Sequence, residues 1–141
     1  MGTVAHLTRL WTEPVPAPAQ AVRAFAELYT DPVSMNGVPT SLLELVERAR
    51  GLQSAFADLS MEVIDEFEAP NRFVIVFLQR GRHVGTLSLP LGDIPPTGRE
   101  VEVRTIDVLS MTDDRISAVQ VVPDNLGLAM QLDAVALRRA D

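Results

Sequence analysis

The chain of 141 residues is 47% hydrophobic and 22% charged, a balance that builds a folded core and excludes a disordered chain. Its formal charge of -7 argues against nucleic acid, which needs a basic surface, and against an anionic membrane, so neither is an expected partner. The sequence has no Cys and no Lys, which excludes disulfides, thiolate metal sites, thiol nucleophiles, Schiff bases and the P-loop lysine.

The length fits one domain over residues 1–141, and a Cys-free chain fits a reducing, cytoplasmic setting. The opening "MGTVAHLTRLWTEP" lacks the apolar segment of a signal peptide, and the longest apolar run, "FVIVFL" at 73–78, is far too short to span a bilayer. A short helix is expected from Thr3 to Trp11, ended by "TEPVPAPA", whose prolines favour extended backbone. Val22, Phe25, Ala26 and Tyr29 then recur at helical spacing as one apolar stripe. "TDPVSMNGVP" reads as a turn-rich link with a tight turn at Asn36-Gly37. Ser41 and Glu44 form a capping box that opens a third helix, with Leu42, Leu45, Val46, Ala49, Leu52 and Phe56 on its core face.

From Met61 the period changes. "MEVIDEFEA" alternates apolar and acidic residues as a half-buried strand does. "RFVIVFLQ", "RHVGTLSLP", "REVEVRTIDVLSM" and "ISAVQVV" follow, separated by turn residues, and a short helix is expected from about Asp124 to Leu132. Helices first and antiparallel strands afterwards predict an α+β fold.

Much chemistry is missing. The two histidines, His6 and His83, lie far apart without a carboxylate pattern, so no metal site is expected. No GxSxG, GxGxxG or Walker sequence occurs. What remains is acid–base chemistry in an apolar cavity, without cofactor, or binding alone.

Four stretches, "AFADL" (55–59), "GRHVG" (81–85), "PPTGR" (95–99) and "DNLGL-x2-QL" (124–132), occur in the order seen in SnoaL-like polyketide cyclases, and the chain resembles that family from about Gln20 to Leu132. The resemblance implies a cone-shaped α+β barrel, with N-terminal helices packed in a strongly curved antiparallel sheet and a pocket at the open end. It implies a hydrophobic, poly-oxygenated small molecule as ligand, intramolecular aldol closure or isomerisation as the reaction, no cofactor, and a homodimer.

The same resemblance lays the family's catalytic carboxylate on Asp124. Residue chemistry alone favours a helix cap there, since Asp is a preferred N-cap residue; one side chain can serve both ends. Where a Glu and a Trp commonly precede that acid, this chain has Ala118 and Gln120, and alternation puts both on the strand face of Asp124. Gln120 is thus its nearest polar companion. His83 is a candidate to position a carbonyl or shuttle a proton, or is a structural residue. Trp11, Phe25, Tyr29, Met35, Phe56, Phe73 and Phe77 are candidates for a flat ligand's wall, with Tyr29 its polar handle. A non-catalytic binding protein is the alternative. Epoxide hydrolysis ranks last, because Arg104 and Asp107, three residues apart, point to opposite faces of a strand.

Overall fold

A computed structural model describes residues 2–140. Two helices open the chain, α1 (Thr3–Thr12) and α2 (Pro18–Ala26). Pro18 stands in the first turn of α2, where its missing N–H costs nothing, and Ala21 and Phe25 supply the buried face. The helical stripe ends earlier than its spacing suggests: Tyr29 is buried, but it opens strand β1 (Tyr29–Met35). The expected turn-rich link is therefore a hairpin, with β1 paired antiparallel to β2 (Val38–Thr40). The Asn36-Gly37 turn joins them, both residues at positive φ.

Helix α3 (Leu42–Ala55) begins as expected, the Ser41 hydroxyl accepting the Glu44 N–H at 3.2 Å. It buries Leu42, Leu45, Val46 and Ala49. The side chain of Gln53 clasps the α1–α2 link, donating to the carbonyls of Trp11 and Glu13 and accepting from the N–H of Val15. A proline-rich segment with few donors is thus fixed to α3 by one amide.

Long strands follow directly: β3 (Phe56–Ala69), β4 (Arg72–His83), β7 (Glu100–Thr112) and β8 (Arg115–Pro123), with a small hairpin of β5 (Leu87–Leu89) and β6 (Gly92–Ile94) between β4 and β7. Phe56 opens β3 rather than closing α3, so the strand starts five residues before the alternation that announces it. Asn71 and the pair Asp113-Asp114, all at positive φ, close the β3–β4 and β7–β8 turns. Helix α4 (Asn125–Gln131) ends the ordered elements.

The six-stranded sheet has the order β2-β1-β8-β7-β4-β3. All its pairings are antiparallel except β1 with β8, which is parallel, so the sheet is mixed where an antiparallel one was expected. The cause lies in the reassigned segment. Once residues 29–35 are a strand, they pair with the free edge of β8, and Asn36 locks them there, its amide exchanging two hydrogen bonds with the backbone of Val121. The sheet is open, ending in β2 on one side and β3 on the other. Bulges in β3 and β8 interrupt its register, and bulges bend strands.

Buried side chains gather in two clusters. One joins α1, α2 and α3 to the sheet through Phe25, Leu45, Ile75, Leu109 and Ile116. The other joins Phe56, Leu87, Val101, Val103 and Leu128 where α4 and the small hairpin meet the sheet. Between the two lies the cavity.

Candidate active site

The cavity has a volume of about 410 Å³ and draws its walls from α1, α3, the inner sheet face, β5 and α4. Its sheet side follows from the pleat of β7. Val101, Val103, Thr105, Asp107 and Leu109 alternate inward, while Glu100, Glu102, Arg104 and Ile106 face out. An acid thus stands in a row of otherwise apolar or neutral residues.

Asp107 is 7% exposed and Thr105 is 4% exposed. Neither Asp107 Oδ1 nor Thr105 Oγ1 has a hydrogen-bond partner among the described residues. Burial raises the affinity of Asp107 for its proton, taking the carboxyl from 3.8 to about 7. Buried polar atoms are normally satisfied, so Asp107 and Thr105 stand out on the cavity wall, as His83 Nε2 does outside it.

Tyr29 faces them. Its hydroxyl oxygen accepts the indole N–H of Trp11 at 2.9 Å, and its ring stacks on Phe25 at 5.9 Å between centroids. Burial pushes the phenol well above its usual range, with the nearby charge of Asp107 adding to this and the Trp11 hydrogen bond opposing it. The phenol therefore keeps its proton as a donor.

Of the candidates read from the sequence, Trp11, Tyr29, Met35, Phe56 and Phe77 are brought together on the cavity wall, and Phe73 lies outside it. Phe25 is buried behind them and holds Trp11 and Tyr29 by its faces and edges. His83 is buried outside the cavity lining, its Nδ1 accepting the Thr97 N–H at 3.2 Å and lying 3.0 Å from the Thr97 hydroxyl. Gln120 is exposed on the outer sheet face.

Asp124 also lies outside the lining, which corrects the expectation that its carboxylate faces the cavity. Its Oδ1 caps α4 by accepting the Gly127 N–H at 2.8 Å. A Cβ at residue 127 would collide with that carboxylate, so the glycine of "DNLGL" makes room for the cap. Parity gives the physical reason. Val119, Val121, Pro123 and Asn125 line the cavity, so Ala118, Gln120 and Asp124 share a face as expected, but it is the outer one. The register shift between Met111–Ile116 and Ser110–Ala118 brings both Ile116 and Val119 inward and thereby sets that parity.

Asp107 is the residue that sequence reasoning missed. The signal was present: in "VEVRTIDVL" it shares the parity of Val101 and Val103, while the opposite parity carries Glu100, Glu102 and Arg104. Considered only as a partner of Arg104, the acid looked like an ordinary strand residue.

No three of the described His, Asp and Glu side chains gather closely enough to hold a metal ion. No helix among the described residues is long and apolar enough to cross a membrane.

The family model for SnoaL-like polyketide cyclases matches residues 6–132. The chain belongs to the SnoaL-like polyketide cyclase family. Its fold is shared by TsrD from Streptomyces laurentii, with a TM-score of 0.79 at 24% identity over 94% of this chain and 93% of that one. A SnoaL-like polyketide cyclase from Agrobacterium tumefaciens gives 0.72 at 20% identity over 92% and 93% of the two chains. IdmH from Streptomyces antibioticus gives 0.72 at 20% identity over 93% and 96%. No curated protein sequence matches significantly.

The family stretches carry close packing as well as cavity lining, to which they contribute Phe56, Leu59, Gly81, Asn125 and Leu128. "AFADL", "GRHVG" and "PPTGR" meet at one corner: a Cβ on Gly81 would press on the Phe56 ring, one on Gly85 would strike the Ser54 carbonyl, and Thr97 engages His83. In the last stretch Gln131 clamps the backbone of Glu102 with both amide atoms.

Proposed function

We propose that this SnoaL-like protein is a cofactor-independent acid–base enzyme that closes or isomerises a hydrophobic, poly-oxygenated small molecule, with Asp107 as the proton-transferring group. The observation that carries the reading is a buried, unpartnered carboxyl whose proton affinity is raised to about 7 inside an apolar cavity. A base so tuned holds and releases a proton near neutral pH, where transfer is most effective. In its ionised form it takes a proton from a carbon flanked by carbonyls. The substrate's carbonyls spread the resulting charge as an enolate. In closure the enolate carbon attacks a second carbonyl, whose π pair becomes an oxyanion that takes the proton back from the same carboxyl; in isomerisation the carboxyl returns the proton to another carbon of the enolate, which shifts the double bond. Tyr29, held by Trp11, is suited to donate its O–H to the oxygen that gains charge. The role that the family resemblance laid on Asp124 passes in this reading to Asp107, and Asp124 is left as a cap.

The test uses an enolisable bicyclic 1,3-diketone, 2-acetyl-1-tetralone, whose acidic C–H exchanges with deuterium. Wild type should accelerate the exchange, Asp107→Asn should slow it on the order of 10²-fold or more, and Asp124→Asn should leave it near wild type. Loss of exchange in Asp124→Asn with an unaffected Asp107→Asn would overturn the assignment.

A binding protein without turnover is the second reading, favoured by the predominance of apolar side chains on the wall. Tight binding of the diketone without accelerated exchange by wild type would select it. Both readings include a homodimer through the outer sheet face, where Ile106 and Val122 are paired across β7 and β8 and both exposed.

A further inference from the structure

We infer that the cavity is built for an anionic ligand, an aromatic or polyketide carboxylate or an equally acidic enol, whose charge pairs with Arg48 while its reacting carbon lies toward Asp107. The inference rests on the proposed site and adds the ligand's charge to it. Three charged residues border the cavity: Asp107, Arg80 and Arg48. Arg80 is already committed, pairing with Glu62 at 2.9 Å and Glu102 at 2.7 Å. Arg48 has no such partner among the described residues; both ion pairs found there belong to Arg80. It projects from α3 four residues before Leu52, on the helix face that borders the cavity.

Desolvation alone accounts for the raised proton affinity of Asp107, with no contribution from a nearby cation. Arg48 forms no ion pair with Asp107 among the described residues and stands at the exposed margin of the wall, whereas the acid is buried. The other polar lining side chains, Trp11, Tyr29, Gln79, Ser88, Thr105 and Asn125, are neutral. A ligand with a flat apolar body and one anionic end meets this arrangement in one orientation only. The reversed orientation would set its charge against a buried carboxylate. The arginine also offsets the net charge of -7, which by itself repels an anion.

The test is a binding measurement, independent of turnover. Trp11 is the single Trp and borders the cavity, so its fluorescence reports occupancy. The probes are 2-naphthoate and its methyl ester, titrated into wild type, Arg48→Leu and Arg48→Lys at low and high salt, with melting temperatures as a control for folding. Wild type should prefer the carboxylate. Arg48→Leu should weaken carboxylate binding about 5-fold or more and leave the ester unchanged, and Arg48→Lys should restore part of the preference. Raised salt should weaken the carboxylate in wild type and not in Arg48→Leu. Equal affinities for the two probes in wild type, or a preference that survives Arg48→Leu, would overturn the inference. Failure here with intact Asp107-dependent exchange leaves the catalytic reading in place; loss of that exchange with a retained carboxylate preference has the opposite meaning.

Discussion

At the scale of single residues, Asp107 links stability to pH. Its carboxyl lies at about 7 in the folded chain against 3.8 ordinarily, so between those values the folded state keeps a proton that the unfolded chain has released. Stability is thus greatest, from this group, below about pH 4, declines as pH rises to about 7, and levels off above it, by on the order of 4 kcal/mol in all. Asp107→Asn removes the ionisation and should raise the melting temperature at pH 8 relative to wild type while activity falls. Thermal melts of both forms from pH 4 to 8 check this; parallel curves would show that the carboxyl is not desolvated. Turnover in wild type should rise with pH through about 7, as a base titrates. Tyr29, the other titratable group facing the acid, stays protonated throughout because burial opposes its ionisation. Asp124 belongs to a different class of residue. Asp124→Asn keeps a capping oxygen and should change stability by a few tenths of a kcal/mol, whereas Asp124→Ala should cost about 1 kcal/mol. Denaturant midpoints of the two variants distinguish a cap from a bystander.

At the scale of elements, the corner where α3 becomes β3 depends on glycines that the strand pattern does not explain. Val84 and Gly85 donate their N–H groups to the carbonyl of Ala55, which draws the end of β4 against the last turn of α3. The backbone there lies so close that a Cβ on Gly85 has no room beside Ser54. Gly85→Ala should therefore destabilise the protein by about 1–3 kcal/mol, with unchanged chemistry in whatever fraction remains folded. Equilibrium unfolding by urea, read by Trp11 fluorescence, measures it. Gly51 has open space around its Cβ position, so Gly51→Ala, in the interior of α3, should be neutral or stabilising by up to about 1 kcal/mol. The contrast between two Gly→Ala changes at either side of one junction isolates close approach from helix propensity.

At the scale of the whole molecule, the proposed dimer would form through the outer sheet face. Exposed apolar residues on a sheet are tolerated singly, but Ile106 and Val122 face each other in register and stand beside the partly buried Val74, Val76 and Val108. If this face joins two copies, Ile106→Asp should convert a dimer to a monomer in sedimentation velocity and leave the diketone exchange of the separated chains within a few-fold of wild type. A monomeric wild type at high concentration would remove the dimer from the reading.

Much of this molecule is determined by the sequence itself. The Ser41 cap, the Asn36-Gly37 turn, the alternation of the long strands and the four family stretches are local signals, because capping, turn geometry and pleat depend on neighbours a few residues away. They suffice for the α+β class and the family, and they place Trp11, Tyr29, Met35 and Phe56 among the cavity candidates. Local signals also misled in one direction: "DNLGL" and "GRHVG" mark a cap and a close approach, and so say more about the fold than about the chemistry. Only the tertiary structure decided which face of each strand turns inward. Alternation states that Ala118, Gln120 and Asp124 share a side; the bulge in β8 and its pairing with β1 and β7 make that side the outer one. The same assembly turns Asp107 from an ordinary strand acid into a desolvated carboxyl, since solvation is set by the α1, α3 and sheet residues that close over it from distant parts of the chain.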